Sequence, residues 1–310
     1  MTTAFTFPGQ GSQQVGMGRA LADAFAVSKA VFDEVDEALG EKLSATIFEG
    51  PEETLTLTAN AQPALMAVSM AALRALEANG FDLAASASHV AGHSLGEYSA
   101  LCAAGAISLA DTARLLRIRG NAMQAAVPVG AGAMAAIIGL EQGDVEAACA
   151  EAGNCQIAND NGGGQLVISG TKAGVEKAAE LCTARGAKRA LLLPVSAPFH
   201  SALMAPAADA MRAALAEVEV KAPVVPVVAN VLAAPIGDPD EIRARLVEQV
   251  TGQVRWRETV EWFGTNGVDT LVEVGSGKVL SGLARRINRD IATRAIGNPD
   301  DVAAYLNPVA

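Results

Sequence analysis

Gly92-His93-Ser94-Leu95-Gly96 sets a serine between two glycines, with a short apolar run at residues 89–91 before it and helical spacing after it. Between a strand and a helix, Gly-x-Ser-x-Gly places the serine on a sharp turn above the carboxyl edge of a sheet. The next backbone N–H, that of Leu95, then points where a substrate carbonyl oxygen would lie. Such a serine suits an acyl-enzyme nucleophile. The same five letters also describe an ordinary helix start with Ser94 as N-cap, and it is the strand before and the helix after that favour the nucleophile.

A serine nucleophile needs a base, and the chain has 3 histidines. His93 adjoins Ser94 and leaves the turn in another direction, so it reads as a structural neighbour. His89 lies at the strand and reads as a packed or surface residue. His200 follows Pro198-Phe199 and precedes a helix, on a constrained loop of the kind where functional residues concentrate. Elimination leaves His200 as the base. No Asp or Glu is identifiable by position as its orienting partner, and a backbone carbonyl could serve instead.

Arg119 occupies an unexpected face of its helix. Leu115, Leu116 and Met123 share its stripe, whereas Arg114 and Arg117 lie on the opposite side. A guanidinium keeps its charge, and burying it without an anion costs several kcal/mol. The ordinary readings are an internal salt bridge to an Asp or Glu, or a stem that snorkels its charge to water; the functional one is a bidentate clamp for a carboxylate carried by the substrate.

These groups need a scaffold. Strand patterns at residues 4–7, 89–91, 224–229 and 270–274 alternate with helical patterns at 15–25, 28–39, 63–78, 94–104, 109–126, 201–218, 241–250, 258–266 and 277–287. From Gly132 the rhythm becomes strand 134–138, helix 144–152, strand 155–158, strand 165–169, helix 173–185, strand 188–193. That order is β-α-β-β-α-β, a ferredoxin-like unit. Proline- and glycine-containing stretches bracket it, which predicts a small domain at 129–195 inserted into a larger α/β domain at 1–128 and 196–310.

Bulk properties fit this reading. The 310 residues are 51% hydrophobic, 18% charged and only 4% aromatic, enough for a large core of Ala, Val, Leu and Ile. A net charge of −11 without a basic run argues against nucleic acid or an anionic membrane surface as partner. The 4 cysteines lack C-x-x-C spacing, which fits a reducing cytoplasm. Neither a leader pattern nor an apolar stretch of about 18 residues occurs, so neither secretion nor membrane spanning is expected. Metal-ligand spacing is lacking. Two nucleotide motifs fail as well: Gln14 stands at the third glycine position after Gly9 and Gly11, and Val279 follows Gly277-Lys278 where Ser or Thr would hold magnesium.

Taken together, the motifs resemble a known family, the malonyl-CoA:acyl carrier protein transacylases and the acyltransferase domains of fatty-acid and polyketide synthases. The matches are Phe7-Pro8-Gly9-Gln10-Gly11-Ser12-Gln13, Gly92 to Glu97, Arg119-Gly120, Pro198-Phe199-His200, Gln249 ahead of Val254-Arg255-Trp256, and Glu273-Val274-Gly275 with Gly277-Lys278-Val279. They run in family order over nearly the whole chain. The resemblance implies a hydrolase-like parallel-sheet large domain with an inserted ferredoxin-like small domain. It further implies Ser94 as nucleophile, His200 as base, Gln10 and Leu95 as oxyanion-hole N–H donors and Arg119 as partner of the malonyl carboxylate. The Gln249 carbonyl would hold the imidazole, and Phe199 resembles the malonyl-selective form of its motif. Malonyl-CoA is then the substrate, acyl carrier protein the transient partner, no cofactor is bound and a monomer is expected. Gln253 and Ser276 depart from the proline common in the family, and Gly162-Gly163-Gly164 is an unusually glycine-rich link.

The implied reaction is ping-pong transfer through a malonyl ester of Ser94. A serine hydrolase shares the elbow but has no use for an arginine on the apolar face. A non-catalytic module would have no reason to combine Ser94, His200, Arg119 and Gln10. Docking of an acidic carrier calls for a local basic patch, with Arg185, Lys188 and Arg189 or Arg285 and Arg286 as candidates, each also explicable as ordinary solvated charge.

Overall fold

In this computed structural model, which describes residues 2–195 and 197–307, the apolar runs of the sequence become the middle of a parallel sheet. The chain opens with β1 (Thr3–Phe7), α1 (Arg19–Ala24), α2 (Ala26–Leu39), α3 (Leu43–Glu49), α4 (Glu52–Thr56) and α5 (Thr58–Glu77). Next come α6 (Leu83–Ser86), β2 (His89–Gly92), α7 (Gly96–Ala103) and α8 (Leu109–Ala125). A second unit follows: β3 (Gly132–Ile138), α9 (Gln142–Ala152), β4 (Cys155–Asp160), β5 (Gln165–Thr171), α10 (Lys172–Ala184) and β6 (Arg189–Leu192). The chain then adds α11 (Ala205–Ala216), β7 (Val227–Ala229), β8 (Ala234–Ile236), α12 (Pro239–Thr251) and α13 (Trp256–Thr265). It ends with β9 (Thr270–Val274), α14 (Val279–Ile287), β10 (Ala292–Ile296) and α15 (Pro299–Leu306).

Six strands form the large sheet in the order β10-β9-β1-β2-β7-β8. All pairs are parallel except β7 with β8. β1, β2 and β9 are buried on both faces, which is why they read as continuous apolar runs rather than alternating ones. β1 and β2 pair with Phe7 opposite Gly92. The loop carrying Gln10 and the turn carrying Ser94 therefore leave the same carboxyl edge side by side, where open α/β sheets place their ligands.

The second sheet is antiparallel, in the order β4-β5-β3-β6. The Gly162-Gly163-Gly164 link between β4 and β5 takes φ of 72°, 60° and 72°, a left-handed run that costs little only for glycine. Two main-chain bonds tie this sheet to the large unit: Asp160 N–H donates to Val254 O at 2.9 Å, and Val254 N–H donates to Ala158 O at 2.8 Å. The Arg257 to Asp160 ion pair at 2.7 Å adds to them. The expected boundary residue Ser196, and residues 308–310 at the end of the expected large domain, lie outside the described residues.

Several expected boundaries move for local reasons. The helix expected from Val15 begins at Arg19, because Gly16 and Gly18 have φ of 88° and 74° and turn the chain first. The helix expected from Pro63 begins at Thr58 and carries Pro63 inside it. The strand expected over 224–229 keeps only Val227–Ala229. α3, α4, α6, β8, β10 and α15 are short elements absent from the sequence expectation, and their packing rather than their periodicity defines them.

Candidate active site

Steric exclusion builds the turn around Ser94. A Cβ on Gly92 would lie 1.9 Å from the carbonyl carbon of Gly96, and one on Gly96 would lie 2.2 Å from Phe7 O. Only glycine at both positions lets β2, α7 and β1 close on each other. Ser94 itself has φ of 54°, a strained value for a residue with a side chain. Asn230, just beyond β7, holds the turn in that shape. Its Oδ1 accepts from Ser94 N–H at 2.7 Å and its Nδ2 donates to Gly92 O at 2.6 Å.

His200 also lies in the left-handed region, with φ of 56°, and is 3% exposed. Its Nδ1 faces two carbonyl oxygens, Gln249 O at 2.8 Å and Gly252 O at 3.1 Å. Carbonyls only accept, so Nδ1 carries the proton and Nε2 is left as the acceptor. Ser94 Oγ stands 2.8 Å from Nε2 and donates to it. Burial first, and the nearby Arg119 charge second, pull the His200 pKa down to about 3. The imidazole is thus neutral at neutral pH, with Nε2 unprotonated and open to a proton from Ser94 Oγ.

Arg119 points inward from α8 beside Leu115, Leu116 and Met123, and is 1% exposed. A close helix crossing puts it there: a Cβ on Gly120 would be 2.5 Å from Ala59 Cα. Among the described residues no carboxylate pairs with Arg119 directly. Instead Nη1 donates to Gln62 Oε1 at 2.7 Å, while Nη2 donates to Gln249 Oε1 at 2.8 Å and to Ser94 Oγ at 3.1 Å. The internal salt bridge weighed above is absent there. The cation is held by two neutral amides and the serine, with the Tyr98 ring 5.6 Å away.

Glu97 lies one turn beyond Ser94 and is 1% exposed. Its Oε2 accepts from Gln249 Nε2 at 2.8 Å and from Asn230 N–H at 3.0 Å. Burial raises its pKa to about 7, against the opposing pull of those two bonds and of Arg119. A second chain leaves Arg119 on the other side. Gln62 Nε2 donates to Thr58 Oγ1 at 3.1 Å, and Thr58 Oγ1 donates to Gln10 Oε1 at 2.8 Å. Gln10 and Leu95 have backbone N–H groups without an acceptor among the described residues.

Ser94, His200, Gln10, Leu95, Arg119 and Phe199 all line one cleft of about 370 Å³. Gln249 is fully buried behind it and reaches it through Arg119 and His200. Met134, Val167, Leu193 and Pro194 close the opposite wall from the small sheet and the segment after it. His93 also lines the cleft, with Nε2 2.9 Å from Asn161 Oδ1, and so links the elbow to the loop after β4. His89 is half-buried against Trp262, with ring centroids 4.9 Å apart and its pKa lowered by burial. The candidate docking cations are exposed; Arg185 is committed to Glu151 at 2.8 Å.

Sequence reasoning missed Gln62, Thr58 and Asn230 and assigned Glu97 no task. Gln62 had a signal: it is a lone amide in the apolar run Gln62-Pro63-Ala64-Leu65-Met66. Asn230 had a weaker one, a polar residue directly after a buried strand.

Among known proteins, the chain matches the acyl transferase domain family over residues 4–290. It is 48% identical to the malonyl CoA-acyl carrier protein transacylase of Bacillus subtilis, over 96% of this chain and 94% of that protein. The Escherichia coli protein of the same name is 47% identical over 98% of each chain. A crystal structure of acyl-carrier-protein S-malonyltransferase from Bartonella henselae superposes with a TM-score of 0.97 at 63% identity, covering 99% of this chain and 98% of that one. A malonyl-transacylase solved in complex with its type II PKS acyl-carrier protein superposes with a TM-score of 0.95 at 44% identity, covering 99% of each chain. With its serine turn, buried arginine and two-sheet cleft, the chain belongs to the acyl transferase family, among the malonyl CoA-acyl carrier protein transacylases.

Proposed function

We propose that this chain moves a malonyl group from malonyl-CoA to the phosphopantetheine thiol of acyl carrier protein, by way of an ester on Ser94. One observation carries the reading: Ser94 Oγ is bonded at once to a neutral histidine and to a buried arginine that has no ion pair among the described residues. The first makes it a nucleophile. The second places a carboxylate-binding cation beside the acyl group that the serine would carry.

In the first half-reaction His200 Nε2 takes the Ser94 proton as Oγ bonds to the thioester carbon. The carbonyl electrons move to oxygen, where the Gln10 and Leu95 N–H groups meet the negative charge; each such donor contributes about 10²–10³ in rate. Collapse breaks the carbon–sulfur bond, and CoA leaves as a thiol with the proton from His200. Once Oγ is an ester, the Arg119 Nη2–H that faced it is released. With the remaining Nη1–H it forms an end-on fork for the malonyl carboxylate. In the second half-reaction His200 accepts the carrier thiol proton, sulfur attacks the ester, and the proton returns to Ser94 as the acyl group departs.

Phe199 forms part of the cleft wall beside His200, and the reading gives it the task of limiting the acyl group to an unbranched malonyl unit. Lys188, Arg189, Arg285 and Arg286 are exposed cations suited to an acidic carrier. The reading sets this reaction in the cytoplasm. No helix among the described residues is long and apolar enough to cross a membrane. The test is a transfer assay from malonyl-, methylmalonyl- and acetyl-CoA to holo acyl carrier protein. Malonyl transfer is expected to dominate, and a chain that prefers acetyl-CoA overturns the reading.

A further inference from the structure

Gln249 performs two tasks with two groups: its main-chain oxygen holds His200, and its side-chain oxygen holds Arg119. The second task depends on which way the amide faces. A guanidinium only donates, so the Gln249 NH₂ must point elsewhere, and it points at Ser94 O at 2.9 Å and Glu97 Oε2 at 2.8 Å. If that end found no strong acceptor, the amide could rotate and turn its NH₂ toward Arg119. Ser94 O is a neutral acceptor on the strained turn, and Glu97 Oε2 is the charged-type acceptor of the pair.

Glu97 also stands at a useful remove. An acidic side chain in contact with Arg119 would occupy the fork that a substrate carboxylate has to enter. With Gln249 interposed, the buried acidic group is one amide away from the buried cation, and the Arg119 donors beside Ser94 remain available to the acyl group.

On the malonyl-transfer reading, we infer that Glu97 is a positioning residue for carboxylate recognition: by accepting from Gln249 Nε2 it fixes that amide and so aims Arg119 at the acyl group on Ser94. It touches neither substrate nor the reacting atoms. Its second bond, to Asn230 N–H, stays on the elbow side and gives it a structural share as well.

The two shares separate in a comparison of malonyl-CoA with acetyl-CoA, which has no carboxylate for Arg119. Glu97→Met has similar length and no strong acceptor. It is expected to lower kcat/KM for malonyl transfer about tenfold or more while acetyl transfer falls less than about threefold. Glu97→Gln keeps an oxygen able to accept from both donors, and is expected to hold the malonyl-to-acetyl ratio within about threefold of wild type. If Glu97→Met does not fold, Glu97→Asp becomes decisive: the acceptor retracts by one methylene, and the ratio is expected to fall at least about threefold. Equal losses for the two thioesters, an unchanged ratio in Met or Asp, or a Gln variant as impaired as Met each overturn the inference. A wild-type protein that fails to transfer malonyl overturns the proposed function instead, whatever the variants do.

Discussion

Arg119 Nη2 donates to Ser94 Oγ across 3.1 Å, from the helix that follows the elbow helix in sequence. The bond ties the group that would recognise the acyl carboxylate to the atom that would carry the acyl group. Two consequences follow for the free enzyme. A cation beside the hydroxyl eases its deprotonation, and the same cation adds to the burial that keeps the neighbouring imidazole neutral.

Removing the guanidinium tests the first tie. Arg119→Ala is expected to lower kcat/KM for malonyl transfer by at least about a hundredfold, the scale of a lost charge-assisted fork, with acetyl transfer falling less than about tenfold. Steady-state assays with both thioesters on one protein preparation check this. Equal loss for both would contradict a role for Arg119 in recognising the acyl carboxylate.

The His200 pKa sets the acid side of stability. In the unfolded chain His200 binds a proton below its ordinary value of 6.5, whereas burial and Arg119 keep the folded protein from binding it until about 3. Acidification through that window favours unfolding by about 1.4 kcal/mol per pH unit. Glu97 has the opposite sign: its folded pKa of about 7 lies above the ordinary 4.5, so its contribution is present below 4.5 and is lost as pH rises toward 7. In a comparison of wild type with His200→Gln the Glu97 contribution cancels. Urea unfolding should show wild type losing about 2 kcal/mol relative to the variant between pH 6.5 and pH 5.

Gly120 is a packing requirement rather than a flexible point. An added methyl group would meet Ala59 Cα at 2.5 Å and push α8 away from α5. Gly120→Ala is expected to cost about 1–3 kcal/mol in urea unfolding, with malonyl transfer reduced because Arg119 moves with α8. Stability equal to wild type would mean that the two helices separate freely.

Charge reversal locates the carrier. Lys188→Glu with Arg189→Glu is expected to raise KM for acyl carrier protein several-fold and to leave KM for malonyl-CoA unchanged, as exposed rim charges act on encounter. If only Arg285→Glu with Arg286→Glu has that effect, docking lies at the end of α14 instead.

The sheet strands, the serine turn and the inward arginine were legible because each obeys a local rule: a buried parallel strand is apolar throughout, a sharp turn needs glycine, and a charged residue on an apolar stripe stands out; His200, reached by elimination among three histidines, stands 2.8 Å from Ser94 Oγ. The relay behind them was not legible. Gln62, Thr58, Glu97 and Asn230 lie on α5, α7 and the loop after β7, and only the three-dimensional crossing of those elements brings them together with the side-chain amide of Gln249, a residue for which the resemblance implied a task of the main-chain oxygen alone. The counter-anion expected beside Arg119 shows the same boundary. Sequence chemistry left an internal carboxylate and a substrate carboxylate both open, and the fold puts Glu97 one amide away from Arg119. Local rules also overextended the strand expected from Val224, since Pro226 has no N–H to pair with a neighbour.

The most direct measurement is the intact mass of wild-type protein mixed with malonyl-CoA alone, with no carrier present. A mass gain of one malonyl group, mapped to Ser94 and absent from Ser94→Ala, is the predicted result. Free malonate released rapidly with no adduct on the protein, or an adduct that persists in Ser94→Ala, would contradict the account.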